Sequence, residues 1–109
     1  MKKEFHHIGI PTGSKQPNEI FLASVRVYIT DATKHPHRIE WLRFEPNTTL
    51  PPLLQKTAHV AFTVDNLEAA LAGQKVIVPP FAPMDGLRVA FIEDGGAPVE
   101  FLEFAKTGR

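Results

Sequence analysis

The chain has 109 residues, of which 43% are hydrophobic and 22% are charged, and this size and composition predict one globular domain. Twelve basic residues balance twelve acidic ones, which argues against nucleic acids and membrane surfaces as partners. The sequence contains no cysteine, which excludes disulfides, thiolate metal sites and a cysteine nucleophile and leaves His and carboxylates as metal ligands. The basic start, MKKEFHHIGIP, lacks the apolar run of a signal peptide, and we therefore expect a soluble cytoplasmic protein.

Short β-branched and aromatic runs, separated by many prolines and glycines, predict a chain built mostly of short strands and turns. In the first half, residues 5–10 are predicted to form a strand and residues 12–18 a loop. Alternating residues at 25–30 and 39–44 predict an antiparallel pair joined by a long turn. The proline-containing segment 47–56 is interpreted as a linker.

The second half begins with a predicted strand at residues 58–64, followed by a short helix. The helix is expected to start at a capping box, with Asp65 as N-cap and Glu68 as the third helical residue. Gly73 is expected to end it, because glycine tolerates the positive φ that commonly follows a helix.

Three more strands are predicted after this helix. The first, residues 75–78, is expected to stop at Pro79 and Pro80, since proline cannot donate a hydrogen bond to a neighbouring strand. Residues 88–93 and 99–104 predict a hairpin around the turn sequence DGGA. The second half therefore has the order β-α-β-β-β.

An internal repeat relates the two halves. The first half contains HIGI, RVYI and IEWLRF, and the second half contains HVAF, RVAF and VEFLEF in the same order. The extra residues of the second half are about as many as its helix needs. The first half is therefore interpreted as a copy that lacks the helix.

Side chains alternate between the two faces of a strand, so His7 shares a face with Gly9, and His59 shares the equivalent face with Ala61. The opposite faces carry large apolar residues that predict a packed core. A face made of one histidine and small residues, present twice, predicts the lining of a ligand cup. His6 alternates to the opposite face, and we expect a structural role for it.

Glu40 and Glu100 occupy equivalent positions in the last strand of each half, beside apolar residues. A carboxylate in such a place is costly to bury unless it is paired or bound to a cation. Two His and two Glu around one cup would satisfy each other through a divalent metal, and this ligand set suits Zn, Ni, Co, Mn or Fe(II). Both glutamates could instead be edge-strand charges that face water.

Three other residues are candidates for contacts with a ligand in the cup. Arg26 and Arg88 could bind an anionic substrate, or they could be surface charges at strand ends. Tyr28 could face the cup as an acid or hydrogen-bond donor.

The segments HVAFTVDNLEAAL and RVAFIEDGGAPVEFLEF together resemble a complete module of the vicinal oxygen chelate superfamily, which includes glyoxalases, bleomycin-resistance proteins and dihydroxybiphenyl dioxygenases. FHHIGIP and RIEWLRFEP resemble the first and last strands of a shortened second module. The resemblance covers nearly the whole chain and implies an α+β fold with a single glyoxalase-like domain over residues 1–109. Two βαβββ-type modules, at about 4–46 and 57–105, would form a curved mixed sheet or cup, the first module lacking its helix.

The resemblance further implies a divalent metal ion held by His7, Glu40, His59 and Glu100, with Glu100 or Glu40 as the catalytic base. The implied function is a lyase or isomerase that acts on a small α-oxygenated carbonyl compound through an enediolate. The sequence has no recognisable glutathione- or coenzyme-A-binding signature. Two alternatives stay open, a non-catalytic binding protein of the bleomycin-resistance type and an Fe(II) dioxygenase. We also expect a homodimer.

Overall fold

The structure, a computed structural model, describes residues 2–106. Within this range the chain forms strands, two short α-helices and one 3₁₀ turn. In chain order these are β1 (Lys3–Pro11), β2 (Ile20–Leu22), β3 (Val27–Ile29), the 3₁₀ turn (Ala32–Lys34), β4 (Ile39–Phe44), α1 (Pro52–Lys56), β5 (His59–Val64), α2 (Leu67–Leu71), β6 (Lys75–Met84), β7 (Leu87–Asp94) and β8 (Ala97–Phe104). Neither helix of residues 2–106 is long and apolar enough to cross a membrane.

All the strands belong to one mixed sheet, in the order β2-β3-β4-β1-β5-β8-β7-β6. In each half the first strand pairs in parallel with the last, β1 with β4 and β5 with β8. The two halves join at the centre, where β1 and β5 run antiparallel. The predicted α+β fold, with two related modules in a curled sheet, is therefore confirmed, and both modules lie side by side in one chain.

The sheet buries apolar side chains on both of its faces. On one face α2 packs Leu67 and Ala70 against Ala90 and Phe101. The first module has no helix between β1 and β2 in the part of the chain that the structure describes, as the repeat predicted. The other face is concave and carries a second apolar cluster that includes Val27, Leu42, Leu54, Ala61, Phe91 and Leu102.

The structure corrects the expected start of α2. Asn66, and not Asp65, is the N-cap, and its side chain accepts a hydrogen bond from the Ala69 backbone N–H at 2.9 Å. Asn and Asp stabilise a helix about equally well as N-caps, so the position at which β5 ends decides the one-residue shift. Gly73 has a φ of 74° and follows the helix end at Ala72, as predicted.

The strand predicted to stop at Pro79 continues through both prolines to Met84. β6 is the outermost strand of the sheet, so one side of its backbone has no neighbour and tolerates residues without an N–H group. Its pairing with β7 shifts register three times, at positions that include this proline segment. Two elements were not predicted at all, namely the edge strand β2 and the helix α1 inside the predicted linker.

Candidate metal centre

The strand register brings together the four side chains that the repeat singled out. On the central pair of strands, His7 lies opposite Ala61 and His59 lies opposite Gly9. The same small residues lie beside the two glutamates. Gly9 is next to Glu40 on β4, and Ala61 is next to Glu100 on β8.

One ligand atom from each of His7, Glu40, His59 and Glu100 lies within 4.8 Å of the other three. Glu100 Oε1 is 3.1 Å from His59 Nε2 and 3.2 Å from His7 Nε2. Glu40 Oε1 is 3.3 Å from His7 Nε2 and 3.9 Å from His59 Nε2. His7, His59 and Glu100 are buried, whereas Glu40 is partly exposed.

The two carboxylates make this cluster favourable for positive charge. Burial acts against a charged imidazole, yet the carboxylates of Glu100 and Glu40 outweigh it and raise the pKa of His7 to about 9. Burial likewise acts against the Glu100 carboxylate, but the hydrogen bond with His59 and the close approach of the His7 imidazole hold the pKa of Glu100 below its usual range. The centre of the cluster is thus a place where the chain stabilises a cation.

The donor set and geometry fit a divalent metal ion. His7 Nε2 is buried and makes no hydrogen bond to any group of residues 2–106, although two carboxylate oxygens lie close to it, so the nitrogen is aimed between them. Zinc bonds to imidazole nitrogen or carboxylate oxygen are about 2.0–2.2 Å long, so any two ligand atoms of one ion would lie no more than about 4.0–4.4 Å apart. The His–Glu separations of 3.1–3.9 Å fall within that limit, and the largest separation, at most 4.8 Å, exceeds it by no more than about 0.8 Å, a gap that side-chain movement closes.

The structure overturns the expectation that His6 faces away from the cup. The pairing of β1 with β5 shifts register between Phe5 and His7, which marks a β-bulge at His6. Phe5 packs against Phe62 on the helix-bearing side of the sheet, whereas His6 and His7 both line the cavity. The bulge thus breaks the alternation on which the expectation depended.

His6 contacts a candidate ligand directly. Its Nδ1 lies 2.7 Å from His7 Nδ1, so one of the two nitrogens donates and the other accepts. Burial, His7 and Arg38 lower the pKa of His6, which leaves its ring neutral at neutral pH. If Nε2 of His7 binds a metal, the proton of His7 resides on Nδ1 and is donated to His6, as in many metal sites where a second residue fixes the histidine tautomer.

A cavity of about 310 Å³ opens above the four-residue cluster. His7, Glu40 and Glu100 form part of its lining, and most of the remaining lining is aliphatic or aromatic. Apolar pockets with a few converging polar groups are the usual form of small-molecule sites. The concave face predicted from the small residues beside His7 and His59 is therefore a cavity with the cluster at one end.

Arg26, Arg88 and Tyr28 are not among the residues that line this cavity. Arg26 pairs with Glu45 at 2.6 Å, and Arg88 pairs with Glu68 and Glu103 at 2.8 and 2.7 Å. The ring of Tyr28 lies under the Arg43 guanidinium instead. Of the two interpretations of the arginines, the surface-charge one is correct.

Neither a protein-family model nor a curated protein sequence matches the chain. A hypothetical protein from Bacillus halodurans C-125 matches in structure with a TM-score of 0.66, at 20% identity over 100% of this chain and 99% of its own. The methylmalonyl-CoA epimerase from Mycobacterium tuberculosis matches with a TM-score of 0.65, at 16% identity over 94% of this chain and 89% of its own. At such identities the likeness concerns the fold, and together with the paired modules it shows that the chain has a vicinal oxygen chelate-like fold.

Proposed function

We propose that the chain is a divalent-metal-dependent isomerase or lyase of the glyoxalase-like type that acts on a small α-oxygenated carbonyl compound. The observation that carries the proposal is the His7, Glu40, His59 and Glu100 cluster at one end of an apolar cavity. The likeness in fold to an epimerase supports an isomerase, since epimerases are one class of isomerases.

The four residues of the cluster would hold the metal, and two His with two carboxylates suit Zn, Ni, Co, Mn or Fe(II). When bound, such an ion acts as a Lewis acid that polarises a carbonyl oxygen and stabilises the negative charge that develops on it. His7 and His59 would stay neutral as ligands, and His6 would hold the proton-bearing Nδ1 of His7 in place.

Glu40 is the better placed of the two carboxylates to move a proton. Glu100 lies within 3.2 Å of both histidines and is the more buried, so its role is to hold the cluster together. Glu40 makes longer contacts and lines the cavity from a partly exposed position. It would take the proton from the carbon beside the carbonyl and return it to that carbon or its neighbour.

The cavity wall would strengthen this chemistry by excluding water. Side chains such as Val89, Phe91 and Leu102 are buried around the cluster. In such a low-dielectric site, interactions of a carboxylate or metal with the reacting atoms are stronger than in water.

A non-catalytic binding protein is the second candidate function. Its supporting observation is the same cavity, because most of the residues that line it are apolar and carry no reactive group. An Fe(II) dioxygenase that uses His7, His59 and Glu100 is a third candidate, because two histidines and one carboxylate can hold Fe(II) with open positions.

The experiment that tests the proposal uses NMR to measure how fast the α-proton of small 2-oxo and 2-hydroxy carbonyl compounds is replaced by deuterium in deuterated water. The protein is loaded in turn with Zn, Ni, Co, Mn or Fe(II). We expect metal-dependent exchange that Glu40→Gln abolishes and that Glu4→Gln, a change at an exposed residue outside the cavity, leaves intact. Metal-loaded protein that exchanges none of the compounds contradicts the isomerase and lyase proposal and favours the binding protein.

A further inference from the structure

Both the opening and the interior of the cavity are apolar. Three large hydrophobic residues of the lining, Ile20, Met84 and Phe104, are 50%, 43% and 50% exposed. Large side chains that line a pocket while facing solvent mark its rim. They come from β2, β6 and β8, so hydrocarbon surrounds the entrance on several sides.

The cavity lining carries carboxyl groups but neither lysine nor arginine within residues 2–106. These carboxyl groups belong to Asp31, Glu40 and Glu100. Asp31 is exposed and lies at the rim, where the Thr33 hydroxyl donates to it at 2.6 Å and lowers the pKa of Asp31. Asp31 is therefore an anion at neutral pH.

The neighbouring arginines are committed to other partners. Arg26 and Arg88 form the surface ion pairs described above, and Arg43 makes two hydrogen bonds to Glu19 at 2.9 and 2.6 Å. The Nε of Arg38 donates to the His6 carbonyl at 2.8 Å. To gain a cationic partner, a substrate carboxylate or phosphate would have to displace one of the three ion pairs or reach Arg38, which lies outside the cavity lining.

A divalent ion does not change the sign of the charge that a substrate meets. The carboxylates of Glu40 and Glu100 together neutralise a doubly charged ion, and Asp31 then remains at the rim. An anionic group that enters past an exposed carboxylate and apolar walls loses its hydration, and the charge of a bound metal ion would already be balanced by Glu40 and Glu100. An uncharged molecule avoids this cost.

We infer that the substrate or ligand of this cavity is an uncharged α-oxygenated carbonyl compound with hydrocarbon groups on both sides, of the α-hydroxyketone class, and neither a carboxylate nor a coenzyme A ester. The inference rests on the proposed function for the α-oxygenated carbonyl part, whereas the absence of charge rests on the cavity lining alone. It separates this chain from its structural neighbour, whose name specifies a coenzyme A ester.

The test compares two probes of equal carbon number, butyroin, which is an uncharged α-hydroxyketone, and the anion 2-oxooctanoate. Their affinities are measured by titration calorimetry on Zn-loaded protein, with acetyl-CoA as a third probe. We expect butyroin to bind at least about tenfold more tightly than the anion, a difference of about 1.4 kcal/mol, and acetyl-CoA not to compete with it.

Two rim variants test the electrostatic cause. Asp31→Asn removes the charge but keeps a side-chain oxygen for the N-cap contact with Thr33, and Met84→Lys adds a cation at an exposed position. Both should raise the affinity for 2-oxooctanoate relative to butyroin. The matched control is Val76→Lys, which adds the same charge at a 41% exposed position of the same strand outside the cavity lining.

Each outcome separates the inference from the proposed function. Selective binding of butyroin without exchange of its α-proton supports the inference and contradicts the isomerase. Equal or tighter binding of 2-oxooctanoate or acetyl-CoA overturns the inference, even if that compound undergoes exchange. Absence of binding by all three probes to folded, Zn-loaded protein also overturns it.

Discussion

The ring of His59 occupies the space that a side chain on Gly9 would need. The two residues are directly paired on antiparallel strands, and a Cβ built on Gly9 would lie 2.1 Å from His59 Cε1 and 2.4 Å from Nε2. A contact this short requires the imidazole to move. Gly9 therefore sets the position of a candidate metal ligand although it carries no chemical group of its own.

Gly9→Ala should impair the metal centre. We expect the displaced His59 ring to weaken metal binding by at least about tenfold, in the range of variants that disturb ligand orientation. The overpacked strand pair should also lose about 1–3 kcal/mol of unfolding free energy. Metal competition with a chromophoric chelator and urea unfolding measure the two effects.

Gly13→Ala is the matched control for this variant. Among the described residues, no atom beyond the chain neighbours of Gly13 lies within 4 Å of a Cβ built on it, and its φ is not in the left-handed region. Its metal affinity should equal that of the parent protein, and its stability should change by about 0.5 kcal/mol or less. Parent-like metal affinity in Gly9→Ala would show that His59 does not bind the metal.

Replacing His6 tests whether it orients His7. His6→Phe keeps a ring against Phe104 but removes the acceptor for the His7 Nδ1 proton, so we expect metal affinity to fall by about 10–100-fold. His6→Asn can supply a side-chain oxygen as acceptor and should recover part of the loss. If both variants lose affinity equally and to a small extent, the contact between the two rings is packing only.

Metal binding should stabilise the folded chain. A ligand that binds only the native state, at a free concentration a hundred times its Kd, increases the free energy of unfolding by about 2.7 kcal/mol. This increase raises the melting temperature measured by calorimetry. His59→Ala should abolish this increase, whereas His37→Ala, at an exposed turn residue, should leave it unchanged. Metal content by mass spectrometry provides an independent measure, and His7→Ala and Glu100→Ala should both lose the metal. An increase of equal size in His59→Ala would place the metal elsewhere on the chain.

The ion pair that anchors β2 should contribute pH-dependent stability. Arg43 donates two hydrogen bonds to Glu19, whose side chain is only 6% exposed, and lowers the pKa of Glu19 from 4.5 to about 2. A pKa lower in the folded chain means stabilisation that is present above pH 4.5 and is lost as the pH falls towards 2. This part of the acid destabilisation should be missing in Glu19→Gln.

Urea midpoints between pH 7 and pH 2 measure that difference. Glu4→Gln, at a side chain that is 67% exposed, should retain the acid dependence of the parent protein. If the urea midpoint of Glu19→Gln falls with pH as steeply as that of the parent protein, the pair between Glu19 and Arg43 does not stabilise this edge of the sheet, which carries Ile20 of the cavity rim.

The four-residue cluster could be predicted because strand alternation and the internal repeat can both be recognised in the sequence without knowledge of how the chain folds. In each half, a histidine on the first strand and a glutamate on the last strand come close together because those two strands pair in parallel. Gly9 and Ala61 were recognised as small residues on the same face. Each of them pairs with a histidine of the other half, between β1 and β5. This pairing depends on how the two halves pack together, which the sequence pattern does not predict.

His6 was assigned to the wrong face because a bulge changes the alternation without leaving a clear signal in the sequence. The doubled histidine, His6-His7, is the only local hint, since two potential ligands in adjacent positions fit a single face only at such an irregularity. The rim could not be predicted either. Besides Phe104 of β8, it is built by β2, which has three residues, and by the part of β6 beyond Pro80, where an edge position overrides the usual effect of proline.

The strands that carry the cluster are contiguous in the sheet, in the order β4-β1-β5-β8, and all belong to a single chain. Assembly of the centre is therefore a unimolecular step that is complete once the chain has folded. The fraction of intact centres should not depend on protein concentration, whether the chain associates with further copies or not. Dilution to the single-molecule range should consequently leave one complete centre in every folded chain.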